Sequence, residues 1–263
     1  MSDRFTVLGD PKLDEPLVDS LPSGFLAVLR GGTPTGAPIL ARQFARAAIG
    51  TVPVLYYTTY ERSDDLKRAF RDCGTDPDAL TIVNLADEYY ERVLVRGLDV
   101  ARVRERGLSI EDLAADPRPN RAPGPYRLSD RMLSDLAGID APFRMIIDSL
   151  DFFFEVLGPQ DVMKVAREVR HCCRSVGGQA LLAVHGHRPE AGPGGLLVDL
   201  ADLVLELRAE PKGDRFEHSL LVEKAGYRPN LARVVPLVLG EAGWVCAPDA
   251  EPRGDAGGTR AGR

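Results

Sequence analysis

Gly31-Gly32-Thr33-Pro34-Thr35-Gly36-Ala37-Pro38 has the glycine spacing of a phosphate-binding loop but lacks two of its reactive side chains. In the pattern G-x-x-x-x-G-K-[ST], backbone N–H groups cradle phosphate, the lysine neutralises it and the hydroxyl holds Mg²⁺. Gly31 and Gly36 fill the glycine positions, whereas Ala37 stands in the lysine position and Pro38 in the hydroxyl position. The backbone of Gly31, Gly32, Thr33, Thr35 and Gly36 can still face an anion at a helix start. The same glycines also suit a plain strand-to-helix turn. Two acids complete the candidate chemistry. Glu61 closes Tyr57-Thr58-Thr59-Tyr60-Glu61, where a carboxylate can orient water or simply start a helix. Asp148, followed by Ser149, closes the apolar run Phe143-Arg144-Met145-Ile146-Ile147. Asp148 is the candidate Mg²⁺ ligand, with a strand-end cap as its plainer role.

These residues need strands and helices to position them. Phe25-Leu26-Ala27-Val28-Leu29 reads as a strand entering the loop, and residues 39–48 as a helix leaving it. Residues 52–59 are β-branched and aromatic, hence a strand. Leu66, Ala69 and Phe70 give residues 63–73 a helical face, with Ser63 as the expected N-cap. A short strand is expected at 80–83, partial helix within the charged 87–116 segment, a proline-rich loop at 117–125, and a helix from about 129. The continuous apolar centre of 143–148 predicts a buried parallel strand. A helix at 159–176 and a strand at 180–184 follow. The remainder reads as strands at 203–207, 219–222, 234–239 and 244–245, with a hairpin turn at 240–243. The expected fold is therefore a mostly parallel α/β sheet, helix-covered on both faces, with antiparallel strands at the C-terminal end. Ligands of such sheets bind beyond the carboxyl ends of the strands, where the 31–36 loop, Glu61 and Asp148 all fall.

Composition narrows the class. The 263 residues are 44% apolar with a net charge of −6 and a pI of about 5.4, so no basic surface announces nucleic acid. The five lysines are Lys12, Lys67, Lys164, Lys212 and Lys224, which leaves few to replace the missing one. Cys73, Cys172, Cys173 and Cys246 make no C-x-x-C pair and are expected to be reduced thiols. His185 and His187 follow a strand two residues apart, as a metal-ligand pair would, but have no evident third partner. Arg102, Arg104 and Arg106 alternate with other residues as on a solvated surface. Residues 1–4 open no apolar signal segment, and no run approaches the roughly 20 apolar residues of a membrane span. A cytoplasmic protein is expected, without membrane or nucleic-acid partner. Residues 1–16 are assigned to an N-terminal extension, 17–246 to one domain and 247–263 to a disordered tail.

The order of these elements resembles the RecA/RadA/KaiC-like group of P-loop ATPases over residues 17–245. Leu21-Pro22-Ser23-Gly24-Phe25 resembles that group's lead-in to its loop. The strand ending in Glu61 resembles the one carrying the catalytic glutamate, and Ile146-Ile147-Asp148-Ser149-Leu150 the metal-binding Walker B strand. Residues 197–207 are similar to a late aspartate-then-strand element. Glu223-Lys224-Ala225-Gly226 occupies the place of a K-x-R-G segment that reaches a neighbouring subunit's nucleotide. The resemblance implies ATP and Mg²⁺ as ligands.

The departures imply something else. Ala37 and Pro38 remove the phosphate-gripping charge and the metal hydroxyl. Arg62 replaces a second glutamate, and the K-x-R-G segment keeps only Gly226. The expected function is a non-catalytic regulatory or interaction protein with weak or no nucleotide binding, partnered by another protein or by itself. The alternative is an active ATPase in which Arg30, Arg42 or a neighbouring subunit's arginine substitutes for the lysine.

Overall fold

A computed structural model describes residues 6–91, 128–186, 193–226 and 228–248. The chain runs α1 (Pro11–Val18), β1 (Phe25–Arg30), α2 (Ala37–Arg46), β2 (Val54–Thr58), α3 (Ser63–Asp72), β3 (Thr81–Asn84) and α4 (Leu85–Tyr89). It continues through α5 (Leu128–Ala137), β4 (Arg144–Asp148), α6 (Asp151–Val156), α7 (Pro159–Val176), β5 (Gln179–Val184) and α8 (Pro193–Leu200). Four strands close it: β6 (Leu203–Lys212), β7 (Arg215–Ala225), β8 (Arg233–Gly240) and β9 (Gly243–Cys246).

All nine strands form one sheet in the order β3-β2-β4-β5-β1-β6-β7-β8-β9. The pairs from β3 through β6 are parallel, and β6 to β9 are antiparallel. Alternate residues of β1 serve two cores. Phe25, Ala27 and Leu29 face α1, α2, α3 and Trp244, while Leu26 and Val28 face α5, α7 and α8. Every residue of β4 and β5 is buried, as expected of strands covered on both faces. The expected α/β architecture is therefore the observed one.

Local signals explain several boundaries. Pro159 starts α7, and Gly177 ends it at φ 76°, a left-handed cap that suits glycine. The 240–243 turn joins β8 to β9 as a tight hairpin. Ser63 is the first residue of α3, and the N-cap is Arg62, so the expected capping role falls one residue too late. The runs 219–222 and 234–239, expected as strands, lie inside β7 and β8. Residues 220–222 pair with both β6 and β8, while the 234–239 run pairs with β7 up to Leu237 and with β9 from Leu237 onward. Residues of the 1–16 extension pack into the main core, with Val7, Leu8 and Leu13 buried. The 92–127 segment, including Arg102, Arg104, Arg106 and the proline-rich loop, lies outside the described residues, as do His187 and the tail beyond Pro248. The four cysteines are unpaired. Among the described residues, no helix is long and apolar enough to cross a membrane.

Candidate functional site

The candidate residues meet above the carboxyl ends of β1, β5, β4 and β2. Because β5 lies between β1 and β4, the residue after β5 stands between the glycine loop and Asp148. That residue is His185. Its Nε2 is 2.5 Å from Asp148 Oδ1 and its Nδ1 is 2.9 Å from the Gly31 carbonyl oxygen. The Tyr56 hydroxyl donates to Asp148 Oδ2 at 2.8 Å. Both oxygens of the buried Asp148 carboxylate are thus engaged within the chain.

Burial works against a charged His185 ring. The hydrogen bond and charge of Asp148, with the Gly31 carbonyl, outweigh it and hold His185 above the usual imidazole range. Burial, reinforced by Asp148, pushes the Tyr56 phenol well above its ordinary value, so Tyr56 stays a neutral donor. Asp151, at the start of α6, accepts from the backbone N–H groups of His185 at 2.8 Å and Gly186 at 3.0 Å, which fixes the strand end carrying the ring.

The loop is held by its own contacts. Thr35 donates from Oγ1 to the Gly32 carbonyl at 2.7 Å and from its backbone N–H to the same oxygen at 2.9 Å. Residues 33–35 form one 3₁₀ turn. A Cβ on Gly31 would stand 2.7 Å from Thr35 Oγ1 and 2.9 Å from the Leu207 carbonyl, so only glycine fits there. Gly36 adopts φ 82° and lies under the Trp244 indole. A Cβ there would meet Trp244 Cζ2 at 2.5 Å, and Trp244 Nε1 donates to the Gly36 carbonyl at 3.1 Å. Ala37 and Pro38 begin α2 and are buried, Ala37 completely.

Glu61 sits nearby but turns to α2. Arg42 Nη1 donates to Glu61 Oε1 at 2.9 Å and Oε2 at 3.1 Å. Ser149 is held through its backbone: its N–H donates to Thr59 Oγ1 at 2.9 Å, and Thr59 Oγ1 donates to its carbonyl at 2.9 Å. Of the two substitute cations expected within the chain, Arg42 is thereby spent on Glu61. Arg30 contacts Glu206 at 3.2 Å and also pairs with Glu223. The K-x-R-G replacement is used internally as well. Lys224 Nζ donates to the carbonyls of Val198 and Asp199 at the end of α8, Ala225 is buried, and Gly226 packs against the Ser20 carbonyl.

No family model matches this chain, and no curated protein does. A solved crystal structure does: a KaiC-like protein from the hyperthermophilic archaeon Pyrococcus horikoshii OT3, at 19% identity and a TM-score of 0.62, covering 93% of this chain and 99% of that one. The fold is RecA-like, of the KaiC kind. The glycine loop, Glu61 and Asp148 lie at one end of its sheet. Set against Mg²⁺ and ATP, these residues lack the usual side-chain grips. The loop offers neither ammonium nor hydroxyl at positions 37 and 38, and Asp148 and Glu61 already hold partners of their own. Sequence reasoning missed Tyr56, His185 as the partner of Asp148, and Trp244 as the cover of Gly36. Only His185 carried a signal, as a polar residue just past a buried strand, and its spacing from His187 pointed to a different role.

Proposed function

We propose that this RecA/KaiC-like P-loop domain is a non-catalytic cytoplasmic protein with a regulatory or interaction role, and that it binds nucleotide weakly or not at all. The observation that carries the reading is the pair Ala37 and Pro38 at the start of α2, a degenerate Walker A motif. One preorganised charge-stabilising donor is commonly worth about 10²–10³ in rate. Two such groups are missing here, and the nearby arginines that would replace them are spent on Glu61, Glu206 and Glu223. What remains is a rigid platform whose faces, not its crevice, meet a partner protein or a second copy.

The test is hydrolysis and binding by the purified chain. A fluorescent ATP analogue titrated with and without Mg²⁺ is expected to show little or no binding, and phosphate release is expected to stay at background. Turnover of about 1 s⁻¹ or faster, lost on Glu61→Gln, would overturn the reading in favour of an active ATPase.

A further inference from the structure

Three strands are joined over their carboxyl ends by one side chain. His185, after β5, reaches Asp148 at the end of β4 with one ring nitrogen and Gly31 after β1 with the other. We propose that His185 takes the place a divalent cation would hold beside Asp148, so that the crevice is latched by the chain itself and takes no metal. The proposal rests on the RecA-like reading only in identifying Asp148 as the residue such a cation would meet.

The positions a cation needs are already filled. A Mg²⁺ ion requires near-octahedral oxygen ligands at about 2.0–2.1 Å and gives up its waters reluctantly. The loop supplies no hydroxyl at Pro38. Asp148 Oδ1 is covered by the His185 ring, Oδ2 accepts from Tyr56, and the Asp148 carbonyl accepts from the Thr59 N–H at 2.8 Å. For a cation to reach Oδ1, the imidazole has to leave. The ring is anchored independently of Asp148 by the Gly31 carbonyl and by the Tyr60 ring at 6.3 Å in an edge contact, while Asp151 fixes the backbone that carries it. Displacing it therefore breaks more than one bond, and a weakly held ion does not repay that. His185 is in this sense a positioning residue. It also adds a side-chain bond to the first glycine of the loop, whose backbone N–H already donates to the Val184 carbonyl at 3.2 Å. The consequence is a platform whose shape is the same with and without Mg²⁺-nucleotide.

Mn²⁺ is the probe, read as loss of the free-ion electron spin resonance signal. Wild-type protein in millimolar Mn²⁺ is expected to leave that signal unchanged. His185→Ala, which frees Asp148 Oδ1, is expected to bind measurably more Mn²⁺ than wild type, and the double variant His185→Ala/Asp148→Asn no more than wild type. Tyr56→Phe removes only the second bond to Asp148 and leaves the latch, so it is expected to behave as wild type; this arm stands even if His185→Ala does not fold. Mn²⁺ bound by the wild type and lost on Asp148→Asn would overturn the proposal. So would a folded His185→Ala that binds no more than wild type, or a Tyr56→Phe that binds more. Phosphate release measured on the same samples separates the two readings. Hydrolysis by a wild type that binds no Mn²⁺ sinks the non-catalytic reading and spares the latch. Mn²⁺ at Asp148 without hydrolysis does the reverse.

Discussion

Asp202 shows how a single buried carboxylate can organise a junction between elements. It accepts from Arg174 Nη2 at 2.7 Å, Arg170 Nη2 at 2.8 Å and the Leu26 N–H at 3.1 Å, joining α7 to the start of β1 just before β6. Burial alone would raise its pKa. The Arg170 bond, the Leu26 N–H and Arg174 overcome that and hold it below the ordinary aspartate value. A depressed folded-state pKa contributes stability that is present above the unfolded value, about 3.9, and is lost as pH falls through the folded one. Asp202→Asn is therefore expected to cost about 2–3 kcal/mol at neutral pH. The gap to wild type in urea unfolding should narrow as pH falls from neutral into the acid range. A gap that is constant with pH would show that charge is not what Asp202 contributes.

At the level of elements, β9 and α2 form one unit that holds the glycine loop down. Gln43 on α2 donates from Nε2 to the Trp244 carbonyl at 2.8 Å and accepts from the Trp244 N–H at 2.7 Å. The Cys246 N–H points to Asp10 Oδ2 at 3.4 Å. These side chains occupy backbone groups that an edge strand would otherwise offer to another chain. Trp244, the protein's one tryptophan, then lies against Gly36 and reports on this contact. Gly36→Ala places a Cβ both in the left-handed region and against the indole, and is expected to destabilise by about 1–3 kcal/mol with a shift in tryptophan emission. Gln43→Ala is expected to cost a similar amount by leaving the two Trp244 backbone groups unpaired. Restoring the missing motif residues with Ala37→Lys and Pro38→Thr puts a charge on a fully buried position. The expected result is a lower melting temperature and no hydrolysis. A stable double variant that turns over ATP would show that those two residues alone separate this crevice from an active one.

The whole molecule is tied across its layers by Arg144. This guanidinium is almost fully buried, and burial pulls its pKa down to about 9. It donates to the Phe44 carbonyl at 2.7 Å and the Val7 carbonyl at 3.3 Å, and also reaches Thr6 and Gln179. It stacks over the Phe44 ring with its central carbon 4.4 Å from the centroid. One side chain of β4 thereby joins the N-terminal segment, α2 and β5. Arg144→Met strands several buried acceptors and is expected to cost about 3 kcal/mol or more. Faster proteolysis near the N-terminus should accompany that loss, and protection equal to wild type would remove Arg144 from this role. Assembly belongs to the same scale. With Ala225 buried in place of an arginine and Lys224 spent on α8, a monomer or small oligomer is expected whose mass by light scattering is unchanged by Mg²⁺-ATP. A nucleotide-dependent hexamer would overturn it.

Residue type and spacing were enough to read the strands of the sheet and the helices α2, α3 and α7, and to place alanine and proline at the two motif positions after Gly36, but not α1, α6 or α8. The apolar runs that became β1, β4 and β5, the helix ended by Gly177, and the departures at Ala37 and Pro38 are all legible in this way. Those signals are local, because periodicity reports which face of an element is buried and glycine reports a backbone turn. What fills the crevice was set by the three-dimensional arrangement. His185 meets Asp148 and Gly31 only because β5 is inserted between β4 and β1, and strand order is not written in any one strand. Tyr56 turns to Asp148 because β2 pairs with β4 in register, Thr58 beside Asp148. Trp244 covers Gly36 from 208 residues away because the antiparallel strands carry β9 back onto α2. Arg42 and Glu61 each read as free chemistry along the chain and are in fact a pair, since a charge near an opposite charge in a partly buried place is stabilised by joining it.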